Sequence, residues 1–202
     1  MNNKKYILAT ANPGKIKEMR DILSKHDIEI VTREEMGICI DIEETGTTFL
    51  ENSKIKAEAI CNIAGIPAIA DDSGLVVSAL GDEPGVYSSS YGGAELTDRE
   101  RCCYLLDQME KLEQRKAKFV CTIVCVFPDG GSITATGECN GVIAPKLFGT
   151  GGFGYDPVFI PDGYSKTMAE LSIDEKNKIS HRGVALRNFS DLLKSKEAGS
   201  QI

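Results

Sequence analysis

The sequence predicts an α/β fold around a mixed β-sheet, and three stretches carry that prediction. Residues 66–70 (IPAIA) are short, apolar and uncharged, as suits a strand buried on both faces at a sheet centre. Residues 5–23 and 29–64 each hold a strand-like run followed by a capped, amphipathic helix. Pro128-Asp129-Gly130-Gly131 separates two β-rich runs, residues 119–127 and 132–139, and reads as a hairpin that brings an antiparallel element into the sheet.

The central run leads into Asp71-Asp72-Ser73-Gly74. Two acids, a hydroxyl and a glycine thus follow a buried strand at its C-terminal end, where open α/β sheets bind ligands. The same residue types are common turn formers. Where a strand persists, side chains alternate, so Asp71 and Asp72 should point to opposite faces and only one should meet a ligand. Asp72, beside Ser73, is the choice, and Leu75-Val76-Val77 should continue the sheet.

A chain of 202 residues suits one domain over 1–202, or one domain folded into two lobes, with enough length to bury a substantial core. The net charge of −7 and pI near 5.0 give no support for a wholesale nucleic-acid binder, so a polyanionic ligand must be met by local basic residues. The chain opens MNNKKYILAT without an apolar signal core, and no run is long enough to span a membrane. Seven cysteines, an odd number with no zinc-type C-x-x-C pair, are expected to be reduced packing residues of a cytoplasmic protein.

Residues 5–10 read as the first strand, and Asn12 and Pro13 as the cap and first residue of a helix whose apolar positions are Ile16, Met19 and Leu23. Free backbone N–H groups at such a helix start, with Lys15 at its mouth, fit a phosphate site, although an ordinary capped helix with a solvated lysine fits too. It is not a Walker loop, because Ile16 stands where Ser or Thr is needed after the lysine. Residues 29–32 read as a second strand and are followed by an acidic run containing Glu43 and Glu44. Thr48-Phe49-Leu50-Glu51 is a capping box opening a helix to about Ala64, with Ala59, Ile60 and Ile63 on its buried stripe and Gly65 as its stop. Glu43 and Lys56 are thereby expected near Asp72, and hard oxygen ligands few in number suit Mg²⁺.

A turn at residues 81–85 and a loop through Gly93 precede a helix from Thr97 to about Leu112, and residues 113–118 read as a charged connector. Gly149-Thr150-Gly151-Gly152-Phe153-Gly154 spells GxGxxG, but no βαβ opening precedes it and Tyr155-Asp156-Pro157 blocks a helix. Such a loop suits close approach of backbone to a planar ligand, with Phe153 or Tyr155 for stacking. Ser172 and Glu175 form another capping box leading to Lys176. Ser180-His181-Arg182-Gly183 opens a final helix whose apolar positions are Val184, Leu186, Phe189, Leu192 and Leu193. His181, clustered with Lys176 and Arg182, is a candidate contact for a phosphate or a base.

The ordered set Thr10-Ala11-Asn12-Pro13-Gly14-Lys15, Glu43-Glu44-Thr45-Gly46, Phe49-Leu50-Glu51-Asn52, Ala70-Asp71-Asp72-Ser73-Gly74-Leu75, Gly151-Gly152-Phe153-Gly154-Tyr155-Asp156-Pro157 and Ser180-His181-Arg182-Gly183 resembles the inosine triphosphate pyrophosphatase family, in its bacterial branch. The resemblance implies an elongated α/β structure, its mixed central sheet flanked by helices in two lobes around an active-site cleft, and a homodimer. It implies Mg²⁺-dependent cleavage of non-standard purine triphosphates (ITP, dITP, XTP) between the α- and β-phosphates. By motif, Thr10 to Lys15, Lys56 and Lys176 would handle phosphates, Glu43 and Asp72 would hold the metal, and Asp72 would serve as general base. Phe153, Gly154, Tyr155 and Asp156, with His181 and Arg182, would surround the base, and Ser73 would touch substrate. Ser90 departs from the arginine expected in many bacterial members. A related pyrophosphatase with another base preference and a nucleotide-sensing module are the alternatives.

Overall fold

In the computed structural model, which describes residues 5–26 and 28–199, strand β1 (Lys5–Leu8) feeds helix α1 (Pro13–Leu23) through a tight turn. Asn12 caps this helix by accepting the Lys15 N–H, and Pro13 sits where its missing N–H has no intrahelical partner to lose. Strand β2 (Glu29–Thr32) precedes helix α2 (Phe49–Ala64), which opens on the reciprocal Thr48–Glu51 capping box and stops at Gly65. Strand β3 (Ala68–Val77), helix α3 (Asp98–Gln108) and the strands β4 (Lys116–Val126), β5 (Ser132–Ile143) and β6 (Phe159–Pro161) follow, then helices α4 (Ile173–Ile179) and α5 (His181–Gly199).

Among the described residues the strands form one six-stranded sheet in the order β2-β1-β3-β4-β5-β6. β1 runs parallel to β2 and β3, and β5 antiparallel to β6, so the sheet is mixed as the sequence predicts. Leu8 lies abreast of Ile69, and the Ala9 N–H donates to the Ile69 carbonyl at 2.8 Å. The turn that follows β1 therefore sits level with the two aspartates of β3.

Several boundaries differ from expectation. Residues 71–74 are not a turn, because β3 continues through them as ladder. α3 ends at Gln108 rather than near Leu112, and β4 begins at Lys116, which moves the connector from residues 113–118 to residues 109–115. The buried face of α2 runs through Asn52, Ser53, Lys56, Ala57, Ile60 and Cys61; Ile63, one turn beyond Ile60 in the last turn of the helix, is exposed, and Leu192 of α5 is likewise exposed. Hydrophobicity alone misplaces both, since burial depends on what packs over each position and not only on the apolar pattern of the helix. All seven cysteines are free thiols, but Cys39 and Cys103 are exposed rather than packed.

The chain divides into two compact units. The first comprises the chain through Asp72, Cys121–Gly137 and the chain from Arg182 onward, and the second Ser73–Val120 and Glu138–His181. In the first unit strand alternation sorts the core. Tyr6, Leu8, Ile69, Cys121, Ile123 and Cys125 pack with Met19, Ile22 and Leu23 of α1 and Ala185, Leu186 and Phe189 of α5. Ile7, Ala9, Ala68, Ala70, Val124 and Val126 pack with Ala57, Ile60 and Cys61 of α2. In the second unit Leu75, Val77, Leu105, Met109, Phe119, Tyr155, Val158 and Phe159 share one core.

Asp71 follows Ile69 onto the α1–α5 face, where it is fully buried. Its Oδ2 accepts from Arg182 Nε and Nη2 at 3.1 and 3.0 Å and lies 3.2 Å from Lys15 Nζ, while Arg182 Nη1 donates to Glu18. Burial alone would raise the Asp71 pKa, but Lys15, Arg182 and Lys56 together hold the carboxyl well below the usual carboxylate range. Exposed pairs such as Lys5–Glu29 contribute at most about 1 kcal/mol, so this buried cluster outweighs them.

Asp71→Asn is accordingly expected to destabilise the protein by about 3–5 kcal/mol at neutral pH, the range for a buried charge left without its partner. Because folding lowers this pKa, the stabilisation is fully present above the unfolded carboxyl value of about 4 and is lost as pH falls through the lowered folded value. Urea unfolding should therefore show a gap between parent and variant that is flat above about pH 5 and shrinks in acid. Equal stability of the two proteins at neutral pH would mean that Glu18 alone satisfies Arg182.

Candidate active site

Asp72 follows Ala68 and Ala70 onto the other face of β3, against α2. Asn52 Nδ2 donates to Asp72 Oδ2 at 3.3 Å, and Lys56 Nζ stands 3.5 Å from Oδ1. Lys56 also donates to Glu44 Oε2 at 2.8 Å. Burial raises the Asp72 pKa, and the opposing pull of Lys56 and Lys15 does not cancel it. For Lys56 the balance is reversed: burial disfavours its charge, but Asp72, Asp71 and Glu44 outweigh it and raise its pKa. The result is an ammonium held charged between two carboxylates, one of which has raised proton affinity, as a general base requires.

The expected divergence of the two aspartates thus holds. Asp71 is committed to Lys15 and Arg182, and Asp72 to Asn52 and Lys56. The Thr10-Ala11-Asn12-Pro13-Gly14-Lys15 turn is ordered from within: Thr10 Oγ1 accepts the Asn12 N–H at 3.1 Å, and Asn12 Oδ1 accepts the Lys15 N–H at 3.1 Å. Ser73 lies half-buried inside β3. Glu43 is exposed on its loop, and its neighbour Glu44 is the acid that meets Lys56.

In the second unit, Asp156 is buried, accepts the Phe153 N–H at 2.9 Å and pairs with Lys176, whose Nζ lies 4.8 Å from the Phe153 ring centroid. Gly152, at φ +72°, is obligatory here because a Cβ would come within 2.0 Å of Asp156 Oδ2. Both sides of Gly154 are pinned by α3, its N–H by Asp98 at 2.7 Å and its carbonyl by the Cys102 thiol at 3.3 Å. His181 stacks on Phe119 with ring centroids 4.6 Å apart and planes 12° apart. Phe153, Asp156 and Lys176 therefore form one contact group.

Two expectations need correction. Tyr155 is not a free stacking aromatic: it is 4% exposed, sits in the core, and donates its hydroxyl to the Ser88 carbonyl at 2.9 Å. That leaves Phe153 as the loop's half-buried aromatic. Arg182, expected beside the base with His181, is 1% exposed in the first unit with its guanidinium on Asp71 and Glu18. Its charge is already answered by two buried carboxylates.

A divalent cation fits the donor chemistry around Asp72. Asp72 and Glu44 present hard carboxylate oxygens around one ammonium, the arrangement of anions that a hard cation also seeks. No group of three His, Cys, Asp or Glu side chains among the described residues forms a cage.

Sequence reasoning passed over Glu18, Asn52 and Asp98 as site-ordering residues and left open whether Glu44 also meets the metal. Asn52 had a readable signal: it precedes Lys56 by four residues, which places two polar side chains on one stripe of a helix that otherwise buries Ala57, Ile60 and Cys61. Glu44 had none, since nothing in a loop sequence distinguishes it from Glu43.

Residues 6–192 match the model of the Ham1 family. A protein of Aquifex aeolicus named dITP/XTP pyrophosphatase is 50% identical over 202 residues, covering 96% of this chain and 98% of its own. One of Thermus thermophilus with the same name is 47% identical over 192 residues, covering 94% and 92%. The solved structure of a HAM1 protein from Coxiella burnetii superposes with a TM-score of 0.87 at 40% identity, over 95% of this chain and 99% of that one. With sequence, motif order and fold all in agreement, the chain belongs to the Ham1 family.

Proposed function

We propose that this protein hydrolyses non-standard purine nucleoside triphosphates (ITP, dITP and XTP) to the monophosphate and pyrophosphate, with Mg²⁺ as cofactor. One observation carries the reading: Asp72, a buried carboxylate of raised proton affinity, stands against the Lys56–Glu44 pair, level with the Lys15 helix start. Relatives named for this activity support it.

In the proposed reaction water attacks the α-phosphorus, the bond from that atom to the α–β bridging oxygen breaks, and pyrophosphate leaves with that oxygen. Asp72 takes the proton from the water. Lys56, Lys15 and the backbone N–H groups of the Thr10–Lys15 turn hold phosphate oxygens and spread their charge, which is most of what phosphoryl transfer asks of a protein. Glu43 or Glu44, together with Asp72, would hold Mg²⁺, which when bound neutralises phosphate charge. Phe153 stacks on the purine, with Gly154, Asp156, Lys176 and His181 around its edge. Ser73 touches substrate, and Arg182 acts by fixing Asp71 rather than by reading the base. Homodimer assembly and a cytoplasmic location belong to the same proposal, the second supported by seven free thiols.

A panel of triphosphates with pyrophosphate detection tests the reading; stepwise release of orthophosphate, or binding without turnover, would overturn it. Asp72→Asn should keep the melting temperature and lose about 10²–10⁴-fold in kcat, the usual cost of a missing general base. Turnover near the parent's at saturating Mg²⁺ would remove Asp72 from that role.

The pH profile gives a second check. Asp72 works as a base only when deprotonated, and its pKa is raised, so the acid limb of kcat/KM should lie at higher pH than an ordinary aspartate would give. Lys56 pulls that pKa down, so Lys56→Gln should move the limb to still higher pH in addition to slowing the reaction. A limb that moves down, or stays, would uncouple the two residues.

Base choice gives a third. A 6-keto purine offers an acceptor where adenine offers a donor, so a pocket of N–H donors should favour ITP over ATP in kcat/KM by roughly 10⁴-fold. Arg182→Ala should lower the melting temperature and leave that ratio intact. If the ratio collapsed while stability held, Arg182 would be the reader of the base.

A further inference from the structure

Asn52 has no part in the reaction as proposed, yet it is 4% exposed and satisfied at both ends of its amide. Oδ1 accepts the Gly46 N–H at 2.8 Å, and Nδ2 donates to Asp72 Oδ2 at 3.3 Å. These partners fix the amide's orientation, because a backbone N–H can only donate and a carboxylate can only accept. The loop is closed tightly on this side chain: a Cβ at Gly46 would lie 2.6 Å from Asn52 Oδ1 and 2.6 Å from Glu51 Cβ. Two residues before Gly46 stands Glu44, which holds Lys56, and Lys56 Nζ faces Asp72 Oδ1. The links close a ring within the first unit, from Asp72 through Asn52, Gly46, Glu44 and Lys56 back to Asp72. In that ring the two oxygens of Asp72 are divided, Oδ2 toward the amide and Oδ1 toward the cation.

We propose that Asn52 is a positioning residue that locks the Asp72 carboxylate and the Glu43-Glu44 loop into one geometry, leaving Oδ1 for the cation and the attacking water. The inference rests on the reading of Asp72 as base and metal ligand. The terminal torsion of an aspartate is broad, so a carboxylate without such a donor turns freely, and its oxygens are no longer assigned. Two variants separate the two halves of the clamp. Asn52→Asp is isosteric and keeps the acceptor for Gly46, but sets a carboxylate against Asp72. Gly46→Ala leaves the Asn52–Asp72 bond in place and pushes the loop off the amide.

The test measures pyrophosphate release from ITP as a function of Mg²⁺, the melting temperature, and hydrogen exchange at the Gly46 amide. Outer ligand-orienting partners typically contribute 10–100-fold, so Asn52→Asp should lose about that much in kcat/KM and require more Mg²⁺, with Gly46 still protected. Gly46→Ala should raise the Mg²⁺ requirement by about tenfold and regain most of kcat at saturating metal. Both should melt near the parent. Activity of Asn52→Asp within about twofold of the parent, or a loss matched by its unfolded fraction, would overturn the proposal. Should the parent and Asp72→Asn release pyrophosphate equally, the functional reading itself has failed. The clamp is then judged by Asn52→Ala: Gly46 exchange about tenfold faster supports it, and unchanged exchange overturns it.

Discussion

The buried contact between Asp71 and Arg182 is the constraint on which the first unit depends. A carboxylate with no exposed surface is tolerated only if its charge is met, and Arg182 meets it with two nitrogens while Lys15 approaches the same oxygen. Arg182 is itself buried, and Glu18 of α1 takes its remaining side. The cluster ties the middle of β3 to the start of α5 and to the first turns of α1, three segments distant in the chain. It also fixes the side to which Asp72 must turn, because neighbours in a strand cannot share a face.

From that placement the chemistry of Asp72 follows. Facing α2, it meets the one buried stripe of that helix that carries polar residues, Asn52 and Lys56. Burial raises its proton affinity while Lys56 keeps a compensating charge close by. Two adjacent acids of identical type therefore come to opposite uses, one an anion consumed by the fold and the other, in the proposed reaction, the base. The distinction comes from their neighbours, since the intrinsic acidities are the same.

The second unit solves a different problem, that of holding a glycine-rich loop still. Asp98 and Cys102 grip the two sides of Gly154, Asp156 grips the Phe153 N–H, and the Tyr155 ring is sunk in the core with its hydroxyl on Ser88. A loop that would otherwise sample many conformations is thereby reduced to one, with the Phe153 ring beneath Lys176. Ordering of this kind removes in advance the entropy that a planar ligand would otherwise have to overcome.

Local signals in the sequence determined the helix starts at Asn12, Thr48, Thr97 and Ser172, the 128–131 hairpin, the buried central strand, and the divergence of Asp71 from Asp72. Each depends on residues within a few positions of one another, where caps, turns and strand alternation act. The order of the family motifs, which spans most of the chain, was legible for the same reason. Tertiary structure alone decided how far along α2 its stripe is covered, so that Ile63 is exposed and Lys56 is not, and which of Glu43 and Glu44 reaches Lys56. It alone turned Arg182 and Tyr155 from candidate ligand contacts into partners of Asp71 and Ser88. Those outcomes are set by residues 67 to 111 positions away, and a side chain's partner at that distance is chosen by the packing of whole elements.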